Sequence, residues 1–354
     1  MDGRDASWVR GQRLRAQGLG LPTDRTPVEA VRLLAAVQSQ ELAHALWSLA
    51  LRSDAASEAD VRAALDAGAV VRTHVLRPTW HLVAAEDARW LLATTAGRVH
   101  QVNASAYRSL GLDAAARERG ATAIAAELAD GRPRTRPELA AVLADAGLPS
   151  TGTALACLVM HAELEQVVVS GPARGAAQTH VLMDSRVPRG AADGPDPVRL
   201  LRRFLRGHGP AGVRDVARWS SLTLTTVRRA VEELRDELST FEVEGETFLD
   251  LGPHEGGRIP PLLLLPLYDE LPLSYRDLGH VAPGDHPHRA GTDQFVGSVV
   301  AGDANLGTWR REVRGRTVEV ALDLAPSTPD DLRRLAEGEA RRLASFLGRD
   351  LVLR

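Results

Sequence analysis

One order of secondary-structure elements recurs three times along this 354-residue chain: helices are followed by a β-hairpin. Thr26-Pro27-Val28-Glu29 opens the first copy with a threonine N-cap, a proline at the first helical position and a glutamate three residues after the cap. This capping box predicts where the helix begins. Further helices are predicted over 43–52 and 58–67, and strands over 70–76 and 80–83. Three helices followed by a hairpin is the order of a winged helix.

The second copy begins with another capping box, Thr135-Arg136-Pro137-Glu138. Its predicted helices cover 137–145 and 151–165, and its hairpin 167–183. The third copy has predicted helices over 198–206, 213–219 and 223–234, with the short Ser220-Ser221-Leu222 turn of a helix-turn-helix, and a hairpin over 241–249. The predicted fold class is α+β, with winged-helix units over 1–110, 111–195 and 196–252 and a C-terminal region of antiparallel strands and one helix over 260–354.

Tandem arrays of this kind most often bind nucleic acid, although they also serve as dimerisation modules. The net charge of −3 does not indicate a bulk polyanion binder, but all 43 basic residues are arginines, and they cluster at 132–136, 199–206, 228–229 and 310–316. No apolar run approaches the roughly 20 residues of a membrane span, no signal-peptide pattern is visible, and Cys157 is the single cysteine. These features predict a cytoplasmic protein. The pair His286 and His288 lacks further ligands at metal-site spacing, so no metal or cofactor is expected.

The segment Val37-Gln38-Ser39-Gln40 interrupts an apolar helical pattern. Residues two apart point away from each other in a helix and to the same side in an extended segment. The two glutamines therefore converge on one pocket only if the helix breaks here. The alternative is that they are solvated or capping amides between two helices.

Four stretches resemble the AlkZ/YcaQ family of bacterial DNA glycosylases, in the HTH_42 winged-helix superfamily. They are residues 36–40, 71–83, 265–270 with 274–277, and 307–311, and the resemblance extends over nearly the whole chain. It implies a C-shaped body of three winged helices that excises N7- and N3-alkylated purines; some members also unhook interstrand crosslinks made by genotoxins. The family's catalytic motif is glutamine, an aliphatic residue, then glutamine or aspartate. Gln38 and Gln40 match its polar positions, and Ser39 departs from the aliphatic one.

The resemblance also implies DNA or pocket contacts by seven further residues: Arg77, Thr79, Trp80, His81, Tyr268, Asp269 and Arg276. Alternatives remain for several of them. Trp80 either stacks on a base or packs into its own core, and His81 either contacts the DNA or is a structural histidine. Asp269 and Arg276 are close enough in sequence to form an ion pair with each other.

Glutamine does not titrate, so it cannot act as a general base, but two amides can hold and aim one water molecule. Positioning suffices only when the leaving group is already good, as an N7- or N3-alkylpurine cation is. Without lysine, only the N-terminal amine could form a Schiff base, which favours hydrolysis without strand cleavage. The sequence thus predicts a monomeric, monofunctional DNA glycosylase acting on double-stranded DNA. The alternative is a non-enzymatic winged-helix DNA-binding protein or transcriptional regulator.

Overall fold

A computed structural model describes residues 4–20, 24–254, 257–276, 296–302 and 304–354 as a mixed α/β chain of helices and small sheets. The helices are α1 (Ala6–Ala16), α2 (Pro27–Leu34), α3 (Leu42–Ala50), α4 (Glu58–Asp66), α5 (Ala85–Ser109), α6 (Ala114–Leu128), α7 (Arg136–Asp145), α8 (Gly152–Leu164), α9 (Pro197–His208), α10 (Val213–Ser220), α11 (Leu224–Glu233), α12 (Glu270–Leu273) and α13 (Asp330–Phe346).

The strands are β1 (Val37–Gln38), β2 (Val70–His74), β3 (Trp80–Ala84), β4 (Arg134–Thr135), β5 (Val168–Ser170), β6 (Thr179–Leu182), β7 (Ser239–Val243), β8 (Glu246–Asp250), β9 (Leu263–Leu265), β10 (Gly297–Ala301), β11 (Ala304–Arg314), β12 (Thr317–Leu324) and β13 (Asp350–Leu353). Along the chain, helices precede the hairpins β2–β3, β5–β6 and β7–β8 as expected. Among the described residues, no helix has both the length and the apolar character needed to cross a membrane.

Both capping boxes predicted from the sequence are present. The Thr26 hydroxyl accepts from the backbone N–H of Glu29, and the Glu29 carboxylate accepts from the backbone N–H of Thr26 at 2.8 Å. Thr135 and Glu138 form the same reciprocal pair at the start of α7. The helices begin at these boxes because two of the N–H groups that lack an intrahelical acceptor are satisfied there.

The contacts divide the chain into two compact units. The terminal unit comprises residues 1–62, 201–219 and 223–354, and the central unit comprises residues 63–200 and 220–222. The terminal unit is therefore assembled from segments that are distant in sequence.

A five-stranded sheet in the order β13-β12-β11-β10-β9 forms the C-terminal part of the terminal unit. The expected antiparallel pairing holds for β10 to β12, and β9, where no strand was predicted, also pairs antiparallel to β10. By contrast, β13 pairs parallel to β12 after the crossover through α13. The α13 face that carries Ala336, Ala340 and Leu343 is buried. Position 297 has to be glycine, because a Cβ there would lie 2.3 Å from the carbonyl oxygen of Leu265.

The central unit contains two of the hairpins and the helices α5 to α8. Strands β2 and β3 pair antiparallel with His74 opposite Trp80, and β6 lies between β4 and β5 in a second small sheet. Helix α5 is 25 residues long and packs on α8. Cys157 on α8 is buried in this unit, as expected for a core residue.

Candidate active site

The helical pattern breaks immediately before the two glutamines. Helix α2 ends at Leu34, and Ala35 has a φ of 63°. The backbone N–H of Ala36 donates to the carbonyl of Leu34 at 2.7 Å, which makes this a γ-turn with a strained, left-handed central residue. The chain then runs extended through β1. The break that convergence of Gln38 and Gln40 requires is therefore present.

Burial changes along the Gln-Ser-Gln segment. Gln38 is 8% exposed and Ser39 is fully buried, whereas Gln40 is exposed. The backbone N–H of Gln38 donates to Oε1 of Glu270 at 2.7 Å. A buried carboxylate thus fixes the position of the first glutamine's main chain.

Glu270 is fully buried in the terminal unit. Its other oxygen, Oε2, accepts from the indole N–H of Trp219 at 2.9 Å and has the Ser274 hydroxyl 3.4 Å away. Hydrogen bonds to a charged acceptor are about twice as strong as neutral ones, and they offset the cost of burying the carboxylate. Glu270 therefore connects the segment of Gln38 to α10 and to the residues after α12.

His208 binds the last carbonyl group of α2, immediately before the helix break. Its Nε2 lies 3.0 Å from the carbonyl oxygen of Leu34, and its Nδ1 lies 2.8 Å from the Ser274 hydroxyl. Because Nε2 faces a carbonyl, it must carry the proton, and Nδ1 then accepts. The side-chain amide of Gln17 lies 3.3 Å from the same Nδ1. The last carbonyl of α2 is thereby tied to a buried polar network.

Arg52 and Asp269 form a fully buried, bidentate ion pair beside this network. Nη1 and Nη2 of Arg52 each donate to one carboxylate oxygen at 2.8 Å. The Ser48 hydroxyl and the backbone N–H of Leu271 also donate to Asp269. Burial disfavours the charge, but the Arg52 guanidinium together with the hydrogen bonds from Leu271 and Ser48 outweighs this effect and holds the pKa of Asp269 below its ordinary value. The alternative interpretation, an Asp269–Arg276 ion pair, is contradicted, because Asp269 is enclosed by Arg52, 217 positions earlier.

Arg276 instead faces the helix-turn-helix part of the terminal unit. Its backbone N–H donates to Oδ1 of Asp215 at 2.7 Å, and its exposed guanidinium lies 3.6 Å from Glu246. With Arg214 and Arg228 it lines a cleft of about 340 Å³. Tyr268 is partly buried at a tight turn with a φ of 63°, closed by a 3.1 Å bond from the Asp269 N–H to the Pro266 carbonyl. Tyr268, Asp269 and Arg276 therefore lie in different surroundings, although they belong to one family-like part of the sequence.

The remaining predicted contacts belong to the central unit, at the turn between β2 and β3. Leu76 has a φ of 63°, and the backbone N–H of Arg77 donates to the Val75 carbonyl at 2.7 Å, so a second strained γ-turn replaces the predicted end of the strand. His81 is fully buried, with Nδ1 2.9 Å from the Thr79 carbonyl and Nε2 3.2 Å from Nη2 of Arg77. Burial, with the charge of Arg77 as a lesser cause, lowers the pKa of His81 well below its ordinary value.

Trp80 is held between two neighbours of the same hairpin. The Arg72 guanidinium carbon lies 4.3 Å from the indole centroid, and the His74 ring lies 4.7 Å from it. The indole N–H of Trp80 and the Thr79 hydroxyl are buried without a hydrogen-bond partner. Trp80 therefore packs on its own hairpin, while an unsatisfied donor remains at its edge.

The residues that hold the Gln-Ser-Gln segment in place received no predicted role. Glu270 and Ser274 lie within one of the family-like stretches, but His208, Trp219 and Gln17 carried no pattern that set them apart. Their signal is polarity inside apolar surroundings, as for Ser274 between Leu273 and Tyr275. That signal becomes informative only when the partners are known.

A family model described as DNA glycosylase AlkZ-like matches residues 31–346, a range that includes Gln38, Gln40 and Glu270. The chain belongs to the AlkZ-like DNA glycosylase family. This membership identifies it as a DNA glycosylase rather than a non-enzymatic regulator.

Two comparisons, one of sequence and one of structure, add to this assignment. The interstrand DNA cross-link repair glycosylase of Streptomyces sahachiroi is 27% identical over 263 residues, which cover 70% of this chain and 71% of that protein. The solved structure of Streptomyces sahachiroi DNA glycosylase AlkZ matches with a TM-score of 0.80 and 22% identity, covering 99% of this chain and 100% of that one. At that identity the second match supports a common fold.

Proposed function

We propose that this glycosylase hydrolyses the N-glycosidic bond of cationic N7- and N3-alkylated purines in double-stranded DNA, interstrand crosslinks included. Gln38 and Gln40 are proposed to position the attacking water. The observation that carries this proposal is the helix break at Ala35, followed by an extended segment whose first glutamine is fixed by Glu270. Residues two apart in such a segment face one side.

The chemistry of two amides suits this class of substrate. An amide holds a water through a carbonyl oxygen but cannot remove its proton at neutral pH. A purine alkylated at N7 or N3 carries a positive charge and departs as a neutral base, so it needs no acid. The sugar develops positive charge as the bond breaks, and amide oxygens can face that charge, as carboxylates do in glycosidases. We therefore expect neutral lesions such as uracil to be ignored.

Hydrolysis without strand cleavage is part of the same proposal. A glycosylase that also cuts the strand attacks the sugar with an amine. The sequence has no lysine, so only the N-terminal amine is available. We expect the product to be an intact strand with an abasic site.

The proposed arrangement of the molecule follows the recurring element order. Winged-helix units over 1–110, 111–195 and 196–252 would form a C-shaped body, with the C-terminal region over 260–354 completing it. The three helix-to-hairpin sequences support this division. We propose that the protein acts as a monomer in the cytoplasm and contacts DNA through Arg77, Thr79, Trp80, Tyr268 and Arg276, with the buried His81 and Asp269 supporting the pocket from within.

The decisive measurement is base release from duplex DNA containing N7-methylguanine. Gln38→Ala and Gln40→Ala should each reduce release by about 100-fold, the effect of misplacing a reacting water. Gln101→Ala is the matched control, because it removes an exposed amide from α5. Strand breaks should appear only after alkali treatment.

Two outcomes would contradict the proposal. Full activity of both glutamine variants would exclude them as the water-positioning groups. Binding of the alkylated duplex without release of the base would indicate a different, bulkier adduct as the substrate.

A further inference from the structure

Two helices of the central unit bring together three side chains that are able to bind a metal. His100 lies on α5, while His161 lies near the end of α8 and Glu165 caps that helix. Residues four apart share one face of a helix. One ligating atom from each of the three side chains lies within 4.8 Å of the other two. The closest pair is Nε2 of His100 and Oε1 of Glu165, at 2.9 Å.

His161 has an unusual environment for a histidine. It is 7% exposed, and neither of its ring nitrogens has a hydrogen-bond partner. A buried polar group without a partner costs free energy, and such groups call for a specific explanation. An imidazole ring that is neutral keeps a lone pair on one of its two nitrogens. A neutral imidazole is the form that binds a metal.

The neighbouring Tyr107 orients His100. Its hydroxyl lies 3.1 Å from Nδ1 of His100. When Nδ1 carries the proton and donates it to this oxygen, Nε2 presents a lone pair towards Glu165. Two lone pairs at 2.9 Å repel each other unless a proton or a cation lies between them. Metal-bound histidines usually have such a partner on the second nitrogen.

We propose that His100, His161 and Glu165 form a binding site for a divalent transition metal of the Zn²⁺ class. Two imidazoles and one carboxylate leave the fourth position of a tetrahedral shell for water. Ligand bonds of about 2.0–2.1 Å place tetrahedral ligands roughly 3.3 Å apart, so the side chains must close by about 1.5 Å at most. A cleft of about 600 Å³, lined by His100, Tyr107, Arg108 and Arg117, lies beside the site.

The bound metal would join the end of α8 to the middle of α5. The positive charge of Arg117 opposes a cation nearby, but its guanidinium is directed to the Leu112 carbonyl at 2.7 Å and stacks on Tyr107. The carboxylate of Glu165 compensates part of that charge. This site is separate from the proposed glycosylase chemistry, which uses no metal.

The test is direct metal binding by the full-length, untagged protein after chelator treatment and dialysis. Titration with Zn²⁺ by calorimetry should give one site per chain, and Co²⁺ should give the intense visible bands of tetrahedral coordination. His161→Ala and Glu165→Gln should each weaken Zn²⁺ binding by roughly tenfold or more. His254→Gln, a histidine of the terminal unit that pairs with Asp250, is the matched control.

Unchanged Zn²⁺ affinity in both variants would overturn the proposal, as would the absence of one-to-one binding by the wild type. Glu165 has a half-exposed side chain, so its substitution is expected to leave the fold intact even if His161→Ala does not fold. Wild-type Tm should rise with Zn²⁺ concentration, and Glu165→Gln should shift that rise to at least about tenfold higher Zn²⁺ concentration. Base release is not the readout, so failure here leaves the proposed glycosylase activity untouched.

Discussion

The Glu270 carboxylate accepts a hydrogen bond from the backbone N–H of Gln38 at 2.7 Å, across 232 positions of sequence. The same carboxylate accepts from Trp219 at 2.9 Å. A single buried side chain therefore links the segment that carries the motif to two other parts of the terminal unit. Since Ala35 has a strained φ, such an external link helps to hold the break in place.

Replacing Glu270 by glutamine tests whether this side chain positions the segment of Gln38 for the proposed reaction. In Glu270→Gln, the amide NH₂ must face either the Gln38 N–H or the Trp219 indole, so one donor loses its acceptor. We expect base release to fall by about 10–100-fold through displacement of the motif, with a loss of about 1–3 kcal/mol in the free energy of unfolding. Single-turnover kinetics on N7-methylguanine DNA and chemical unfolding measure the two effects.

Glu242→Gln is the control for that experiment, because it removes an exposed carboxylate from β7. DNA binding by Glu270→Gln should change little. If base release by Glu270→Gln equalled that of the wild type, the carboxylate would not position Gln38 for the reaction.

The Arg52–Asp269 ion pair should prove strongly coupled. Removing either partner leaves an uncompensated buried charge, so Arg52→Met and Asp269→Asn should each cost about 3–5 kcal/mol. The double variant should cost clearly less than the sum, because the second change removes the charge that the first one stranded. A double-mutant cycle from urea unfolding gives the coupling, and strictly additive losses would argue against it.

Stability should decrease in mild acid because of His44. Burial, helped by Arg311, lowers the pKa of His44 from 6.5 to about 4, and its Nδ1 accepts from the Leu267 N–H at 3.3 Å. Between pH 6.5 and about 4 the unfolded chain binds the proton more readily. The contribution of His44 is therefore complete above pH 6.5 and is lost as the pH falls towards 4, by at most about 1.4 kcal/mol per pH unit.

His44→Asn isolates that contribution. Asparagine keeps an acceptor near the Leu267 N–H but does not titrate. Thermal unfolding followed from pH 7 to pH 4 should show a shallower loss of stability in the variant. An identical slope in the two proteins would assign the acid sensitivity to other groups.

Arg77 should contribute to DNA binding through phosphate. Its guanidinium is held by His81, whose Nε2 lies 3.2 Å away. Arg77→Ala should reduce affinity for duplex DNA and lower the slope of log affinity against log salt by about 0.9, the value for one phosphate contact. Arg235→Ala, at an exposed arginine of the other unit, should leave the slope unchanged. A loss of affinity at constant slope would exclude a phosphate contact.

Local signals in the sequence predicted much of the fold. The capping boxes at Thr26 and Thr135 were confirmed because a cap depends on residues three positions apart. The hairpin that pairs His74 with Trp80 followed from two predicted strands separated by the turn residues Arg77-Pro78-Thr79. These features are determined within a few residues, so a single sequence contains the information.

Features that depend on distant partners were predicted poorly. For Asp269, the sequence suggested an ion pair with Arg276 as one alternative, whereas its partner is Arg52, 217 positions earlier. Glu270 received no role, because nothing in its neighbours indicates that it holds Gln38. The parallel pairing of β13 was likewise missed, since strand direction depends on the crossover through α13. The proposed catalytic pair itself remains a prediction.

The buried contact between Gln38 and Glu270 joins two residues that are synthesised at very different times. Gln38 leaves the ribosome long before Glu270, Asp269 and the rest of the terminal unit exist. A nascent or prematurely terminated chain therefore carries the two glutamines without the carboxylate that holds them. The proposed arrangement of the two glutamines can therefore form only after synthesis has passed Glu270, and a truncated chain that ends before this residue should not release bases from DNA.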